Sequence, residues 1–351
     1  EFQTFSLDQN RLKTLMAEMP LEFTQDANDR SVIIGIPMPD GSISRFRVEE
    51  SAVLADHLAG AFPSWKTFQG YGLDDASATG RFDWTSKGFH GYIFTSKGTV
   101  YIDPFQENDL QNYIVYYKSD YPRPAAGDFS CRLDDSLRRE LGVADLKFEL
   151  PELTPSFTNG TNIRTYRIAV ATTGEWARGT TMSTDPQTVR TAALAALTTS
   201  VNRLDGIYRR ELSVTLQLVN PPITNNATNI IFDDPATDPY DNTDTGPQLA
   251  INQTTINNRV GIPNYDVGHL YGTGGGGVAS SPSVCSTQKA EGYSARAGFY
   301  GDPFTVDYAA HEIGHQFGAD HTYNNSDMGG ACTTRSATDA FEVGSGSTLM
   351  S

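Results

Sequence analysis

The stretch HEIGHQFGADH, residues 311–321, is the most informative segment of this 351-residue chain. His311 and His315 are four residues apart, so both imidazoles project from one face of a helix. Two ring nitrogens placed in this way can meet one zinc ion at about 2.0–2.1 Å. Gly318 allows the chain to leave the helix, because glycine accepts a positive φ, and the turn brings His321 round as a third ligand. The stretch therefore predicts a zinc site made by three histidines.

Glu312 stands beside the first of these ligands, where it can reach a water on the metal without binding the metal itself. Three neutral imidazoles leave the fourth position of a tetrahedral zinc ion open, which is typical of catalytic sites. A bare HExxH pattern occurs by chance in many helices, but half of the 6 histidines of the chain lie in this stretch. These residues predict a catalytic zinc ion with Glu312 as general base.

The composition narrows the class of protein. The formal net charge is −16, so nucleic acid and anionic membranes are poor partners. No apolar run is long enough to span a bilayer, and no signal peptide is present. The chain opens with Glu1-Phe2 and no initiator Met, so it looks processed or trimmed. The length suffices for two domains with full hydrophobic cores.

Residues 1–150 predict a β-rich domain. A helix is expected over Asp8–Met19, and Asp40-Gly41 is a hairpin signal between two strands. The expected strands are Val32–Ile36, Ile43–Val48, Gly91–Phe94, Thr99–Ile102 and Tyr113–Tyr117. His57 and His90 are isolated, so we interpret them as surface or packed residues and not as ligands.

Residues 151–163 read PELTPSFTNGTNI and predict an exposed linker that proteases can reach. A second domain follows over 164–351. Alternating apolar residues predict a strand at 166–170 and another at 214–218. Asp185-Pro186 predicts the start of a long amphipathic helix between them. This order of strand, helix and strand is a βαβ start.

An acidic loop spans residues 233–244. It contains five aspartates: Asp233, Asp234, Asp238, Asp241 and Asp244. Carboxylate oxygens suit Ca²⁺, but the spacing of an EF-hand loop is absent. A solvated acidic loop is the favoured interpretation, and Ca²⁺ stays open as a second cofactor.

The pattern HExxHxxGxxH resembles the motif of the metzincin metallopeptidases, in which a methionine-containing turn follows. The segment GSGSTLMS supplies such a turn, with Met350 lying 29 residues after His321. RTYRIAVATTGEW at 164–176, the helix over 186–210 and YDVGHLYGTGGGGVA at 265–279 look most like the reprolysin (adamalysin) branch, in the form found in secreted bacterial proteins. The resemblance covers the chain from Arg164 to its end.

The resemblance implies an α+β or α/β fold, in which a twisted mixed sheet carries long helices and a zinc helix, preceded by a β-rich prodomain. Met350 would form the hydrophobic floor beneath the zinc ion. The segment His269–Ala279 would be the edge strand that pairs with the substrate backbone, with His269 structural. Gly274, Gly275, Gly276 and Gly277 would allow an extended peptide to come close, although a flexible loop is an equal alternative.

Two features depart from the reprolysin pattern. Animal and venom reprolysins usually have Asp after the third histidine, where this chain has Thr322, so a pappalysin-like metallopeptidase is an alternative. The chain also stops just after the methionine turn, so the catalytic domain looks truncated at Ser351.

The three cysteines have two expected roles. Cys285 and Cys332 flank the zinc helix and are expected to form a disulfide. Cys131 is left alone in the N-terminal domain, and its thiolate is a good ligand for zinc. Cys131 therefore predicts a latency switch, in which its thiolate fills the fourth coordination position of the zinc ion. An unrelated buried cysteine is an equal alternative.

Together these features predict a secreted zymogen of a zinc-dependent endopeptidase. It would hydrolyse protein or peptide substrates through a zinc-activated water, and its own prodomain would inhibit it. The alternatives are a catalytically inactive binding or adhesion module with the metzincin fold, and a zinc hydrolase with non-peptide substrates. The presence of Glu312 argues against the inactive module, because a purely structural zinc site does not need it.

Overall fold

The structure is a computed structural model. It describes residues 2–121, 131–134, 162–242, 246–296, 305, 308–324, 338–343 and 348–351, with backbone alone for Asn28 and residues 132–134. The chain divides into two compact units. The first comprises Glu1–Arg123 and Leu194–Gly206, and the second comprises Pro124–Ala193 and Ile207–Ser351.

The first unit is built on an antiparallel sheet. Its strands are β1 (Gln3–Ser6), β2 (Val32–Pro37), β3 (Ile43–Glu50), β4 (Lys66–Gly72), β5 (Thr79–Thr85), β6 (Gly88–Thr95), β7 (Gly98–Pro104) and β8 (Asn112–Tyr117). Its helices are α1 (Gln9–Glu18), α2 (Gln25–Asp29) and α3 (Asp56–Ala61), with a 3-10 turn at Lys118–Asp120. The strand order is β1-β8-β7-β6-β5-β4-β3-β2. Strands β2 to β8 are therefore paired in chain order, and β1 pairs with β8 and not with β2.

The second unit contains a mixed sheet. Its strands are β9 (Cys131–Asp134), β10 (Arg164–Thr172), β11 (Val214–Leu218), β12 (Val267–Gly272), β13 (Gly276–Ser280) and β14 (Gly292–Ala295). The helices that follow β9 in the chain are α4 (Gly174–Gly179), α5 (Pro186–Leu212), α6 (Gln248–Arg259) and α7 (Ala310–Gln316), with a 3-10 turn at Ile262–Asn264. The strand order is β11-β10-β12-β14-β13-β9. Only β13 runs antiparallel to its inner neighbour β14, and β9 adds to β13 in parallel.

One face of the first sheet packs an apolar core. Leu12 and Met16 of α1 lie in the same buried cluster as Phe46, Phe82 and Ile93 of the sheet. The helix begins where predicted, because the Asp8 side chain caps it by accepting a hydrogen bond from the Arg11 N–H. Burial of this face provides most of the driving force for the unit.

A second set of buried contacts in the first unit is polar and joins β5 to the α5 segment Leu194–Gly206. The Arg81 guanidinium is only 1% exposed and lies 3.2 Å from the Asp205 carboxylate. Arg81 also donates to Asn202 Oδ1 at 2.9 Å and to the Ser51 hydroxyl at 2.6 Å. A buried charge of this kind needs partners to offset its loss of hydration.

The long helix α5 follows its sequence signals. Asp185 caps it by accepting from the Thr188 N–H, and Pro186 occupies the first turn. It ends at Ser213, whose backbone is left-handed with φ 54°. Strand β10 precedes this helix in the chain and β11 follows it. Because the two strands pair with each other in parallel, the predicted βαβ unit is confirmed.

The mixed α+β fold is confirmed, as are the predicted helices and strands of both domains within a few residues at each end. The sequence analysis did not predict β1, β4, β5, β9 or β14, nor the helices α2, α3, α4 and α6. Strands β4 and β5 bury polar residues such as Gln69, Arg81 and Asp83, so they lack the alternation of exposed polar and buried apolar residues that marks an ordinary strand. None of the helices in the described part of the chain is long and apolar enough to cross a bilayer.

Candidate metal centre

Helix α7 carries the first two histidines of the predicted site on its buried surface. His311 is 2% exposed and His315 is fully buried. Their Nε2 atoms approach each other to 3.0 Å, as expected for two residues one turn apart on one helix face. Helix geometry alone therefore aims both rings at one point.

The other ring nitrogen of each histidine is held by the backbone. His311 Nδ1 lies 2.7 Å from the Leu349 carbonyl oxygen, and His315 Nδ1 lies 2.7 Å from that of Ala319. A carbonyl oxygen accepts a hydrogen bond, so Nδ1 carries the proton and Nε2 keeps its lone pair. These contacts fix both the tautomer and the ring orientation that metal binding requires.

Gly318 ends the helix and turns the chain back. Its φ is +96°, a conformation that favours glycine. The Gly318 N–H donates to the His315 carbonyl, and the Ala319 N–H donates to the Gly314 carbonyl. This turn brings His321 Nε2 to 3.3 Å from His311 Nε2. The third histidine therefore faces the same point as the first two.

Cys131 is brought to these histidines by strand β9. In the parallel pairing of β9 with β13, Cys131 is the partner of Gly277. Its Sγ lies 3.2 Å from His311 Nε2, 3.4 Å from His315 Nε2 and 3.2 Å from His321 Nε2. The thiol is 3% exposed. A residue 180 positions before His311 thus completes a four-atom cluster.

The four ligand atoms fit a tetrahedral zinc ion. They all lie within 4.8 Å of one another, and within the described residues this is the one group of His, Cys, Asp or Glu able to hold a metal. With ordinary bond lengths, a tetrahedral site separates nitrogen atoms by about 3.3 Å and sulfur from nitrogen by about 3.6 Å. The observed separations match these values within a few tenths of an ångström. Imidazole nitrogens and cysteine thiolates are both usual ligands of zinc.

Glu312 and Met350 flank the cluster. Glu312 is fully buried, and its carboxylate lies against Gly277 of β13. The Met350 sulfur packs against Gly314, which lies between the two histidines of α7. Met350 is held there because its carbonyl accepts from the Thr322 N–H at 3.0 Å. Both side chains therefore lie directly beside the zinc helix.

The four consecutive glycines, Gly274 to Gly277, lie partly in a turn and partly in strand β13. Gly275 and Gly276 have positive φ values of 88° and 82° and form the turn into β13. Gly276 and Gly277 belong to β13, which follows Gly274 and Gly275. The prediction of one edge strand over His269–Ala279 is wrong for its first half. Strand β12 is fully buried and lies between β10 and β14, because its backbone groups pair on both sides.

The predicted disulfide between Cys285 and Cys332 is absent from the structure. Cys285 is an exposed free thiol, and Cys332 lies outside the described residues. The loop that leads into Cys285 is held to α7 by hydrogen bonds, because the N–H groups of Ser283 and Val284 both donate to the Gln316 carbonyl. This loop is therefore anchored to the zinc helix without a covalent link.

The aspartates of the acidic loop that the structure describes make contacts with the protein. Asp233 pairs with Arg190 at 2.5 Å, and Asp234 pairs with Arg178 at 3.1 Å. Asp238 accepts from the Gly174 N–H at 2.6 Å. Asp244 lies outside the described residues. These carboxylates attach the loop to α4 and α5.

Sequence reasoning missed the role of Gln316, the last residue of α7. Its amide nitrogen donates to the Gly268 carbonyl at 2.9 Å, and its Oε1 lies 2.8 Å from His269 Nδ1. His269 Nε2 in turn lies 2.9 Å from the Ser294 hydroxyl. Burial lowers the pKa of His269 to about 4, so this ring is neutral at physiological pH. A polar residue among apolar helix neighbours was the available signal for this buried network.

Comparisons with known proteins agree with the site. Residues 194–322 match the model of the metallo-peptidase family M12B, reprolysin-like. No curated protein matches the chain. Among solved structures, the crystal structure of metalloproteinase-II from Bacteroides fragilis is similar at 9% identity and a TM-score of 0.46, over 90% of this chain and 86% of that one.

The matched segment and the histidine cluster together support a metalloendopeptidase that is similar to the reprolysin-like metallopeptidases.

Proposed function

We propose that this protein is a zinc-dependent endopeptidase and that the arrangement of Cys131 and the three histidines is its latent form. The observation that carries the proposal is the convergence of His311, His315, His321 and Cys131 within 4.8 Å. Three of these residues come from the peptidase motif. The fourth comes from a segment that precedes the predicted linker, which is the arrangement expected of an inhibitory prodomain.

Zinc bound at this cluster would polarise the scissile carbonyl and acidify a water molecule. The three histidines hold the metal, and their Nδ1 anchors at Leu349 and Ala319 keep two of the rings oriented. Glu312 is the general base that takes the proton of the attacking water and passes it to the leaving amine. Met350 supplies an apolar floor that limits movement of α7.

Latency follows from the position of strand β9. With zinc bound, the Cys131 sulfur would take the coordination position that a catalytic water needs. The backbone of β9 also pairs with β13, the strand to which an extended substrate would add. The prodomain would therefore block both the metal and the substrate cleft.

Activation would require removal of this strand. We expect cleavage within residues 151–163 to release the prodomain, residues 1–150, from the catalytic domain, residues 164–351. Secretion is part of the same proposal, since the sequence resembles secreted bacterial reprolysins. Detection of the processed chain in culture medium would test it.

The central experiment compares the full chain with two variants before and after limited proteolysis. The wild type should gain casein hydrolysis as a fragment starting near Arg164 appears in the intact mass spectrum. Cys131→Ala loses the sulfur ligand but keeps the β9 backbone on β13, so before cleavage it should hydrolyse casein faster than the uncleaved wild type and more slowly than the cleaved enzyme. Glu312→Ala should retain about one zinc ion per chain but lose activity by at least 10²-fold in every state.

The variant outcomes also separate the alternatives. Unchanged activity in Glu312→Ala would remove the proposed mechanism. No activity in any state of the wild type, with zinc still bound, would favour the catalytically inactive binding module.

A further inference from the structure

We propose that Gly277 is a positioning residue for Glu312, because the space left by its missing side chain is filled by the Glu312 carboxylate. This inference rests on the proposed role of Glu312 as general base. It assigns to Gly277 a function different from close approach of the substrate backbone, which was the sequence-based expectation.

The geometry at Gly277 leaves no room for a methyl group. A Cβ built on Gly277 would lie 2.0 Å from Glu312 Oε1, 2.4 Å from Cδ and 2.6 Å from Cγ. Three consecutive atoms of one side chain therefore line this space, and all three are closer than ordinary van der Waals contact. Rotation of the carboxylate tip alone cannot relieve such an overlap.

The requirement at this position is for space and not for backbone conformation. Gly275 and Gly276 have positive φ values, but Gly277 does not and lies within the regular strand β13. An alanine could therefore adopt the backbone of Gly277 without strain. The three nearest atoms that oppose it all belong to Glu312.

The zinc helix is prevented from moving away by contacts one turn further on. Gln316 lies over Gly292 of β14, where a Cβ would meet Gln316 Oε1 at 2.3 Å. The Gln316 amide is bonded to the Gly268 carbonyl and to His269. Glycines in two neighbouring strands thus receive successive turns of one face of α7. A methyl group at 277 would displace the Glu312 side chain, because the helix itself is tied to the sheet.

The first experiment measures catalysis by Gly277→Ala after proteolytic activation. A displacement of the carboxylate by about an ångström lowers kcat on the order of 10²-fold. The zinc content and the KM should stay within about two-fold of the wild type, since the histidines and the peptide-facing backbone are retained. Met182→Ala is the control, because Met182 is 88% exposed and belongs to the part of the chain that remains after activation; it should leave kcat unchanged.

The opposite kinetic result would overturn the proposal. If Gly277 served close approach of the substrate, alanine would raise the KM and weaken peptide inhibitors while kcat stayed near that of the wild type.

The second experiment needs no catalytic activity. Gly277→Ala is made in the wild type and in Glu312→Ala, and the urea unfolding of both pairs is compared. In the wild type the added methyl should raise the unfolding equilibrium constant on the order of ten-fold by overpacking. In Glu312→Ala the methyl should fit the vacated space and cause no such loss.

An equal loss of stability in both backgrounds would show that the methyl does not meet Glu312 and would contradict the proposal. Because this cycle depends only on packing, it remains decisive even if the protein proves not to hydrolyse peptides. Failure of the positioning role and failure of the proposed function can therefore be told apart.

Discussion

At the scale of single residues, the metal centre depends on backbone carbonyl groups as much as on the imidazoles. Leu349 and Ala319 contribute their carbonyl oxygens to His311 and His315. Neither contact could be anticipated from residue type, because a carbonyl group is present in every residue. The sequence nevertheless identified the histidines, because their spacing is set by the pitch of a helix.

The buried imidazole of His269 makes stability depend on pH. Its pKa is about 4 in the folded protein, against about 6.5 in an unfolded chain. Above pH 6.5 both states are neutral and the full stability is present. As the pH falls from about 6.5 towards 4, only the unfolded state gains a proton, so roughly 3 kcal/mol is lost. The urea-unfolding free energy of the wild type, measured between pH 4 and 7, should fall more steeply than that of His269→Gln.

Met182→Ala provides the control, because Met182 is exposed and has no titratable group. This variant should leave the pH slope as in the wild type. Parallel curves for the wild type and His269→Gln would mean that His269 is not held neutral by its burial.

At the scale of single elements, β9 is short and yet contributes to both the sheet and the metal cluster. Its pairing with β13 is parallel and includes Cys131 in register with Gly277. Paired residues project from the same face of a sheet, so the register determines where the sulfur points.

We therefore predict that a peptide with the sequence of residues 129–135, FSCRLDD, inhibits the activated enzyme. The same peptide with serine in place of Cys131 keeps the backbone pairing but loses the zinc ligand, so its inhibition constant should be at least ten-fold higher. Steady-state inhibition of casein hydrolysis measures both constants. Equal potency of the two peptides would exclude a metal ligand role for the sulfur.

The buried ion pair between Arg81 of β5 and Asp205 of α5 leads to a prediction about the stability of the fold. Arg81→Met leaves Asp205 as a buried charge without its cation, and this should lower the free energy of unfolding by roughly 3–5 kcal/mol. The double variant Arg81→Met, Asp205→Leu removes both charges and should recover most of the loss. Chemical denaturation of the full chain measures both.

Arg45→Met serves as the comparison, since the Arg45–Asp74 pair lies at the surface. It should have little effect on stability. A loss in Arg81→Met no larger than that in Arg45→Met would show that burial does not govern the strength of the interior pair.

At the scale of the whole molecule, the metal connects parts of the chain that are far apart in sequence. Bound zinc would join β9, α7 and the segment after Gly318, so its binding energy would add to the stability of the fold. Removal of zinc with 1,10-phenanthroline should lower the Tm of the full chain by several degrees, and added zinc should restore it. Calorimetry with and without the chelator measures the shift.

The variant His315→Ala is the control for direct effects of the chelator on the protein. Its Tm should be low already and should change little on chelation. An equal shift in the wild type and in this variant would show that the metal is bound elsewhere.

Local sequence signals identified the elements that are determined by residues close together in the chain. The cap at Asp185, the proline at 186 and the hairpin at Asp40-Gly41 each act within a few residues, and each has its expected structure. Strands β4 and β5 escaped prediction because their polar residues are buried by contacts with distant parts of the chain. The interior position of β12 was mistaken for an edge for the same reason.

The sequence by itself determined the three histidines, the glutamate and the turn at Gly318, because helix pitch and glycine conformation act within eleven consecutive residues. The tertiary structure alone decided that Cys131 meets them, that Cys285 stays a free thiol and that Gly277 lies under Glu312. These contacts join residues far apart in the chain, and strand register and packing, which no local pattern encodes, bring them together.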